Sequence, residues 1–157
     1  MTGLIIWNIN WWICILAALF VTPVASFVWV VLTIFYHNLK HKQWIVAVSS
    51  LAIGMLMETT FYLSGITNWP SERMNYELPL LLMALWLNMS LMWEPMLKKF
   101  KKPLLYTLFL LGSYPAYAGG STLNLIWVEE SWFAYLGIGI GYCLALLFID
   151  TLFKRAN

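Results

Sequence analysis

The segment that decides the fold is WFAYLGIGIGYCLALLFI, residues 132–149, in which no residue carries a charge. About 20 helical residues cross the hydrocarbon core of a bilayer, so this segment, with its continuation to Phe153, predicts a transmembrane helix. The rest of the chain is similar, since 62% of its 157 residues are hydrophobic and only 10% are charged. Soluble domains carry about 25% charged residues, so the composition excludes a soluble enzyme and a disordered tail.

Six apolar segments fill the chain as one transmembrane helical domain covering residues 1–157. They lie near residues 4–20, 24–39, 44–66, 77–96, 103–118 and 132–153. The sequence therefore predicts an all-α integral membrane protein, a compact bundle of six transmembrane helices. Pro23 cannot continue the first helix, so the first two segments form a hairpin that either crosses the membrane or is partly re-entrant.

The cations indicate the orientation of the chain. Eight of the nine follow spans two, four and six, whereas Arg73 lies in the loop between spans three and four; the eight are Lys40, Lys42, Lys98, Lys99, Lys101, Lys102, Lys154 and Arg155. Because cytoplasmic loops collect positive charge, both termini are predicted to be cytoplasmic. If the first hairpin does not cross, only the side of the N-terminus changes. The net charge of +2 offers no basic surface for a nucleic acid.

Glu58 is the residue on which a functional interpretation centres. It lies about 14 residues, roughly 21 Å of helix rise, from the cytoplasmic end of span three, in the outer half of the bilayer. Ionisable groups at this depth are costly and face a bundle interior or a wet cavity. Helical spacing places Gly54, Met55, Phe61 and Tyr62 on the same face. Such a carboxylate can hold a cation, relay a proton or bind a polar head, or it is protonated and joins neighbouring helices.

Other polar groups lie within the spans. The indole N–H groups of Trp29 and Trp86 are deeper than the interfacial tryptophans and need partners or a cavity. Asn88 lies near the middle of span four, where a hydrogen bond between helices is the ordinary role. Near the outer end of span five, Pro115 and Tyr117 indicate either a broken helix that faces Glu58 or a simple kink.

Small residues at four-residue steps predict that spans five and six pack tightly together. The first set is in span five and the second in span six: Gly112, Ala116 and Gly120, and Gly137, Gly141 and Ala145. A hinge is the alternative role of these glycines.

The inner ends of the spans carry most of the charge. Glu94 is expected to pair with Lys98, and Asp150 with Lys154 or Arg155, although an inner polar cluster with Asn8 and Asn10 is an alternative. The lysine cluster is either an ordinary positive-inside loop or a contact for anionic lipid or an acidic partner; it comprises Lys98, Lys99, Lys101 and Lys102. His37 and His41 have no third ligand nearby, so no metal site and no cofactor are predicted.

Four stretches resemble the bacterial membrane proteins grouped as domain-of-unknown-function family 2878. They are Trp7–Cys14, Gly54–Glu58, Ala84–Trp93 and Gly112–Gly120. The family motifs have an Asp and a Gln where this chain has Glu58 and Asn8, and a differently placed proline in span five. The resemblance implies a multi-pass protein of the bacterial inner membrane and no particular reaction. It also implies a link to fatty-acyl-modifying enzymes, near which members are encoded.

Two main functions follow as expectations. In the first, the bundle binds or transports a small molecule in a cavity around Glu58, with candidate ligand-binding residues Glu58, Tyr62, Trp86, Asn88 and Tyr117. In the second, the chain is an accessory of membrane-lipid or fatty-acyl modification that binds lipid or docks a soluble enzyme through the lysine cluster. No catalytic motif argues for an enzyme, which would need at least two polar groups, such as Asn88 and Tyr117, to converge around Glu58. Membrane lipids are expected partners, with a homodimer or a protein bound at the cytoplasmic loops as further candidates.

Overall fold

A computed structural model describes residues 2–36, 41–68 and 77–155 of the chain. These residues form six helices: α1 (Thr2–Phe20), α2 (Pro23–Tyr36), α3 (His41–Leu63), α4 (Glu77–Lys99), α5 (Lys102–Thr122) and α6 (Trp132–Arg155). The predicted helical class and all six predicted segments are therefore recovered. The last three residues of the predicted segment 24–39, together with Lys40 and Arg73, lie outside the described residues.

The largest difference at any single helix end is at the end of α5, which continues four residues beyond Ala118. Hydropathy falls at the Gly-Gly-Ser-Thr sequence that follows, but the helical hydrogen bonds continue to Thr122. Two further bonds close the helix, from the Leu123 N–H to the Gly119 carbonyl and from the Leu125 N–H to the Gly120 carbonyl. The helix also runs without interruption through Pro115, so the alternative of a broken fifth helix is not adopted.

Three described helices are long and apolar enough to cross a membrane, over Gln43–Leu63, Pro79–Lys99 and Trp132–Leu152. Shorter apolar stretches occupy Asn8–Phe20 and Pro23–Tyr36. The chain is therefore a helical membrane protein. Its exposed surface is rich in large apolar side chains such as Leu56, Leu144 and Phe148, as expected of helices that face lipid.

The helices pack in a fixed order around α4 and α6. α4 packs against α1, α2 and α3, whereas α6 packs against α3 and α5. α5 lies along α6 and contacts α4 only sparsely, which leaves a gap between α4 and α5. Two side-chain hydrogen bonds also join neighbouring helices: Ser26 Oγ of α2 donates to the Cys14 carbonyl of α1 at 2.8 Å, and Trp93 Nε1 of α4 donates to Ser50 Oγ of α3 at 2.8 Å.

A two-stranded antiparallel ladder ties two interhelical connections together. Strand β1 (Thr67–Asn68) follows α3 and strand β2 (Trp127–Val128) follows α5, with Thr67 opposite Val128. Gly65 precedes β1 with a φ of +75°, a left-handed conformation that glycine adopts without strain. This ladder is not predictable from the sequence, because two-residue strands are too short to show an alternation of apolar and polar residues. Its consequence is that both connections lie at the same end of the bundle.

The predicted tight packing of α5 on α6 is confirmed, but the predicted stripe of small residues is not what mediates it. The closest approach is at Gly139, where a Cβ atom would lie 2.5 Å from the Leu110 carbonyl oxygen. Gly141 instead faces Phe61 of α3, and Gly112 faces open space. A four-residue spacing identifies a helix face, but several faces of α6 meet different neighbours.

Gly139→Ala is expected to lower the free energy of unfolding by about 1–3 kcal/mol, because the new methyl group meets backbone that cannot rotate away. Gly112→Ala is the matched control, since its Cβ meets no atom within 4 Å. Thermal unfolding of both variants in the same detergent tests this. Equal melting temperatures for the two variants would contradict the described α5–α6 interface.

Candidate functional site

The side chain of Glu58 lies at the meeting point of three helices and is only 1% exposed. Trp86 of α4 donates its indole N–H to Glu58 Oε1 at 3.2 Å, and the Tyr117 hydroxyl of α5 donates to the same oxygen. The Tyr117 and Tyr142 hydroxyl oxygens are 3.4 Å apart, which brings α6 to the same place. One carboxyl oxygen therefore links α3 to α4 and α5, with α6 one contact further away.

The two oxygens of this carboxyl group differ in their hydrogen bonding. Glu58 Oε2 is buried and has no hydrogen-bond partner among the described residues. None of the ion pairs that the structure describes involves Glu58. An unmade hydrogen bond to a buried polar group costs about 1–3 kcal/mol, so Oε2 is a place where a ligand group would be stabilised.

A glycine makes the approach of Trp86 possible. Gly54 lies one turn before Glu58, and a Cβ atom there would lie 2.0 Å from Trp86 Cδ2. The indole ring therefore rests directly on the α3 backbone. Tyr142 stacks on the same ring at a centroid distance of 5.2 Å and an interplanar angle of 23°. Tyr117 meets the edge of the Phe61 ring at 6.2 Å, so aromatic side chains surround the carboxyl group.

A cavity of about 270 Å³ opens beside this network, which we call the outer cavity. Glu58, Trp86, Tyr117 and Tyr142 line it on one side. Apolar residues of α1, α4 and α5 line the rest, including Ile15, Leu81, Leu85, Met89 and Ala116. Two of its lining residues, Trp12 and Leu123, are 57% and 41% exposed, so the cavity reaches the protein surface.

Three of the five predicted ligand-binding residues line this cavity together: Glu58, Trp86 and Tyr117. Tyr62 is half-buried and Asn88 is fully buried, but neither lines the outer cavity. Sequence reasoning missed Tyr142, although it carries the hydroxyl nearest the middle of α6. Of the two polar groups named as examples for an enzyme, Tyr117 contacts Glu58, whereas Asn88 does not line the outer cavity.

The expected partners of the deep tryptophans are both present. Trp86 binds Glu58, and Trp29 Nε1 donates to Asn10 Oδ1 at 2.9 Å, which joins α2 to α1. Asn10 and Asp150 make separate contacts, while Asn8 is exposed, so the alternative of a single inner polar cluster is not adopted.

Three lysines at the ends of α4, α5 and α6 form ion pairs. Lys98 binds Glu94 at 2.6 Å and Lys154 binds Asp150 at 3.0 Å, as predicted. Lys102 also binds Asp150, at 2.5 Å, and this hydrogen bond raises the pKa of Lys102 above its usual value. Lys99 lies 5.6 Å from the centroid of the Phe100 ring, and Lys101 is exposed before α5. The Lys102–Asp150 pair thus fastens the start of α5 to α6.

Metal binding has no support in the part of the chain that the structure describes, where no group of three His, Cys, Asp or Glu side chains converges. The side chain of His41 is outside what is described, as is the whole of His37. The cysteines Cys14 and Cys143 are both free.

The fold and this buried site define a helical membrane protein with a single carboxyl group facing an apolar cavity. The chain belongs to the family described as Protein of unknown function (DUF2878), whose model matches residues 1–148. The resemblance noted from the sequence is thereby confirmed. No curated protein and no solved structure matches the chain.

Tyr117→Phe is expected to lower the free energy of unfolding by about 0.6–1.7 kcal/mol, the range measured for hydrogen bonds between membrane helices. The substitution removes the donor to Glu58 Oε1 while keeping the ring. Tyr114→Phe, three residues away on α5 with its ring stacked on Tyr135, is the control and is expected to change stability by less than about 0.5 kcal/mol. Chemical denaturation in micelles measures both. Similar losses in the two variants would contradict the described network.

Proposed function

We propose that the chain is a six-span protein of a bacterial inner membrane, with both termini in the cytoplasm. Three helices meet the requirements of a span, and α1, α2 and α5 pack against α4 or α6. The β1–β2 ladder holds the connections after α3 and α5 at one end of the bundle. The lysine cluster between α4 and α5 lies at the opposite end, as the positive-inside rule requires of a cytoplasmic loop.

Cysteine labelling in intact cells tests this topology. In a background without Cys14 and Cys143, we expect a membrane-impermeant maleimide to label Glu129→Cys in intact cells. We expect Lys99→Cys to react only after the inner membrane is permeabilised. Both positions are exposed, so accessibility within the fold does not limit either reaction. Labelling of both from the same side would contradict the proposed orientation.

We further propose that the bundle binds, or binds and transports, a small molecule with an apolar body and a polar group that pairs with Glu58. The observation that supports this proposal most directly is that Glu58 Oε2 is buried and unpartnered on the wall of an apolar cavity. Oε1 already accepts two hydrogen bonds, so the remaining capacity of the carboxyl group is on Oε2. An amine or hydroxyl group of a ligand is the matching donor.

The second candidate function, an accessory role in membrane-lipid or fatty-acyl modification, is favoured by one observation. Trp12 lines the outer cavity, is exposed and lies midway along α1, so we infer an opening on the side of the bundle that faces lipid. A molecule dissolved in the bilayer would reach Glu58 through this opening without entering from water. The lysine cluster adds little to this candidate, because Lys98 and Lys102 are held in ion pairs within the chain.

Glu58→Gln is expected to reduce ligand occupancy at least tenfold, because the amide keeps the volume of the side chain and loses the carboxyl group. Native mass spectrometry of protein extracted from its own membrane in lipid nanodiscs measures the occupancy. Wild type is expected to carry a discrete bound molecule, whose mass separates a polar solute from a lipid.

Glu94→Gln is the matched control for this experiment. Glu94 lies on α4 outside the cavity lining and pairs with Lys98, so the same chemical change there is expected to preserve occupancy. Identical adducts at equal occupancy in wild type and Glu58→Gln would overturn the proposed site.

A further inference from the structure

A second cavity lies on the inner side of the outer cavity, and we call it the inner cavity. Its volume is about 470 Å³. One wall is formed by Met92, Met96 and Phe100 and the other by Leu108, Phe109 and Gly112. Three of the lining residues carry a polar group: Trp11, Ser113 and Tyr142. The Ser113 hydroxyl donates to the Phe109 carbonyl at 2.7 Å, and the Tyr142 hydroxyl lies 3.4 Å from that of Tyr117. None of the three is among the described residues with a buried, unpartnered side-chain atom, so the inner cavity is mainly apolar.

The two cavities are adjacent and share four lining residues, Trp11, Met89, Ala116 and Tyr142. Along α4, the lining runs from Leu81 in the outer cavity to Met96 in the inner cavity, and Phe100 follows just beyond that helix. At 1.5 Å of rise per residue, Leu81 and Phe100 are about 28 Å apart along the axis, close to the thickness of the hydrocarbon core. We call the two adjacent cavities together the α4–α5 groove.

We propose that this α4–α5 groove binds a long single-chain amphiphile, with its amine or hydroxyl head at Glu58 and its alkyl chain along the inner cavity. The inference rests on the proposed function of Glu58 and specifies the class of ligand. A short polar solute would satisfy Glu58 Oε2 and leave the inner cavity unused. A hydrocarbon without a head would fill the inner cavity and leave Oε2 unpaired.

The side chains that line the groove match both the polar head and the alkyl chain of such an amphiphile. The groove's only buried, unpartnered side-chain oxygen among the described lining residues is Glu58 Oε2, on the wall of the outer cavity. Met89, Met92 and Met96 form a row along α4, and methionine side chains adapt to flexible apolar ligands. Leu108 lines the inner cavity and is 48% exposed, so this cavity reaches the apolar surface of the protein.

Gly112→Leu is the variant that isolates the inner cavity. Gly112 lines this cavity, and a Cβ atom there meets no atom within 4 Å, so a leucine side chain has space to enter the groove. Ala52→Leu is the control, because Ala52 is exposed on α3 and does not line the groove. Thermal unfolding of both variants verifies that they are folded.

The probes are octan-1-amine and hexadecan-1-amine, titrated into the protein in lipid nanodiscs and measured by native mass spectrometry. We expect Gly112→Leu to weaken binding of hexadecan-1-amine at least tenfold relative to wild type and Ala52→Leu to leave it unchanged. Each probe is compared between variants, because chain length also alters partition into the lipid. Octan-1-amine reports the head site, and we expect Glu58→Gln to weaken binding of both amines.

The outcomes separate the two proposals. If Glu58→Gln weakens both amines and Gly112→Leu leaves hexadecan-1-amine unaffected, the long-chain inference is overturned and the head site at Glu58 stands. If Glu58→Gln weakens neither amine, the proposed function itself fails.

Discussion

The structure depends on one buried carboxyl group that is satisfied at one oxygen and open at the other. An acidic side chain within the hydrocarbon region is costly, and the bundle offsets this cost by directing two donors from different helices to Glu58 Oε1. These two hydrogen bonds fix the rotation of α4 about its own axis through Trp86, and that of α5 through Tyr117. The position of Trp86 also requires a glycine at position 54, because any larger residue would displace the indole ring.

The groove is a consequence of how α5 is held. Lys102 anchors the start of α5 to Asp150 of α6, Gly139 lets the two helices touch, and the β1–β2 ladder secures the connection after α5. All three contacts draw α5 towards α6 or α3. Its link to α4 is mainly indirect, through the shared carboxyl group of Glu58. The two adjacent cavities therefore lie between α4 and α5, with Glu58 on the wall of the outer cavity.

Much of this arrangement was predictable from the sequence, for identifiable reasons. Hydropathy over about 20 residues locates helices because the bilayer imposes their length. Glu58 and Trp86 were recognisable because a polar group at that depth needs a partner. Tyr62 was also predicted for the site, since it lies one turn from Glu58, but the cavity occupies only part of that helix face.

The remaining features depend on how helices rotate and pair, which periodicity does not encode. The stripe that contains Gly112 was expected at the α5–α6 interface, yet Gly112 faces the groove. Tyr142 gave only a weak signal, a hydroxyl in an otherwise apolar span. The two-residue strands at Thr67 and Val128 gave no signal in the sequence, because their pairing joins segments that are distant along the chain.

The most direct test of this account is a crystal structure of the protein grown in a lipidic mesophase, where bound amphiphiles from the membrane are retained. The account predicts an elongated ligand in the α4–α5 groove, with a polar atom within about 2.7–3.2 Å of Glu58 Oε2. A structure in which α5 closes against α4 and a protein group binds Glu58 Oε2 would contradict it.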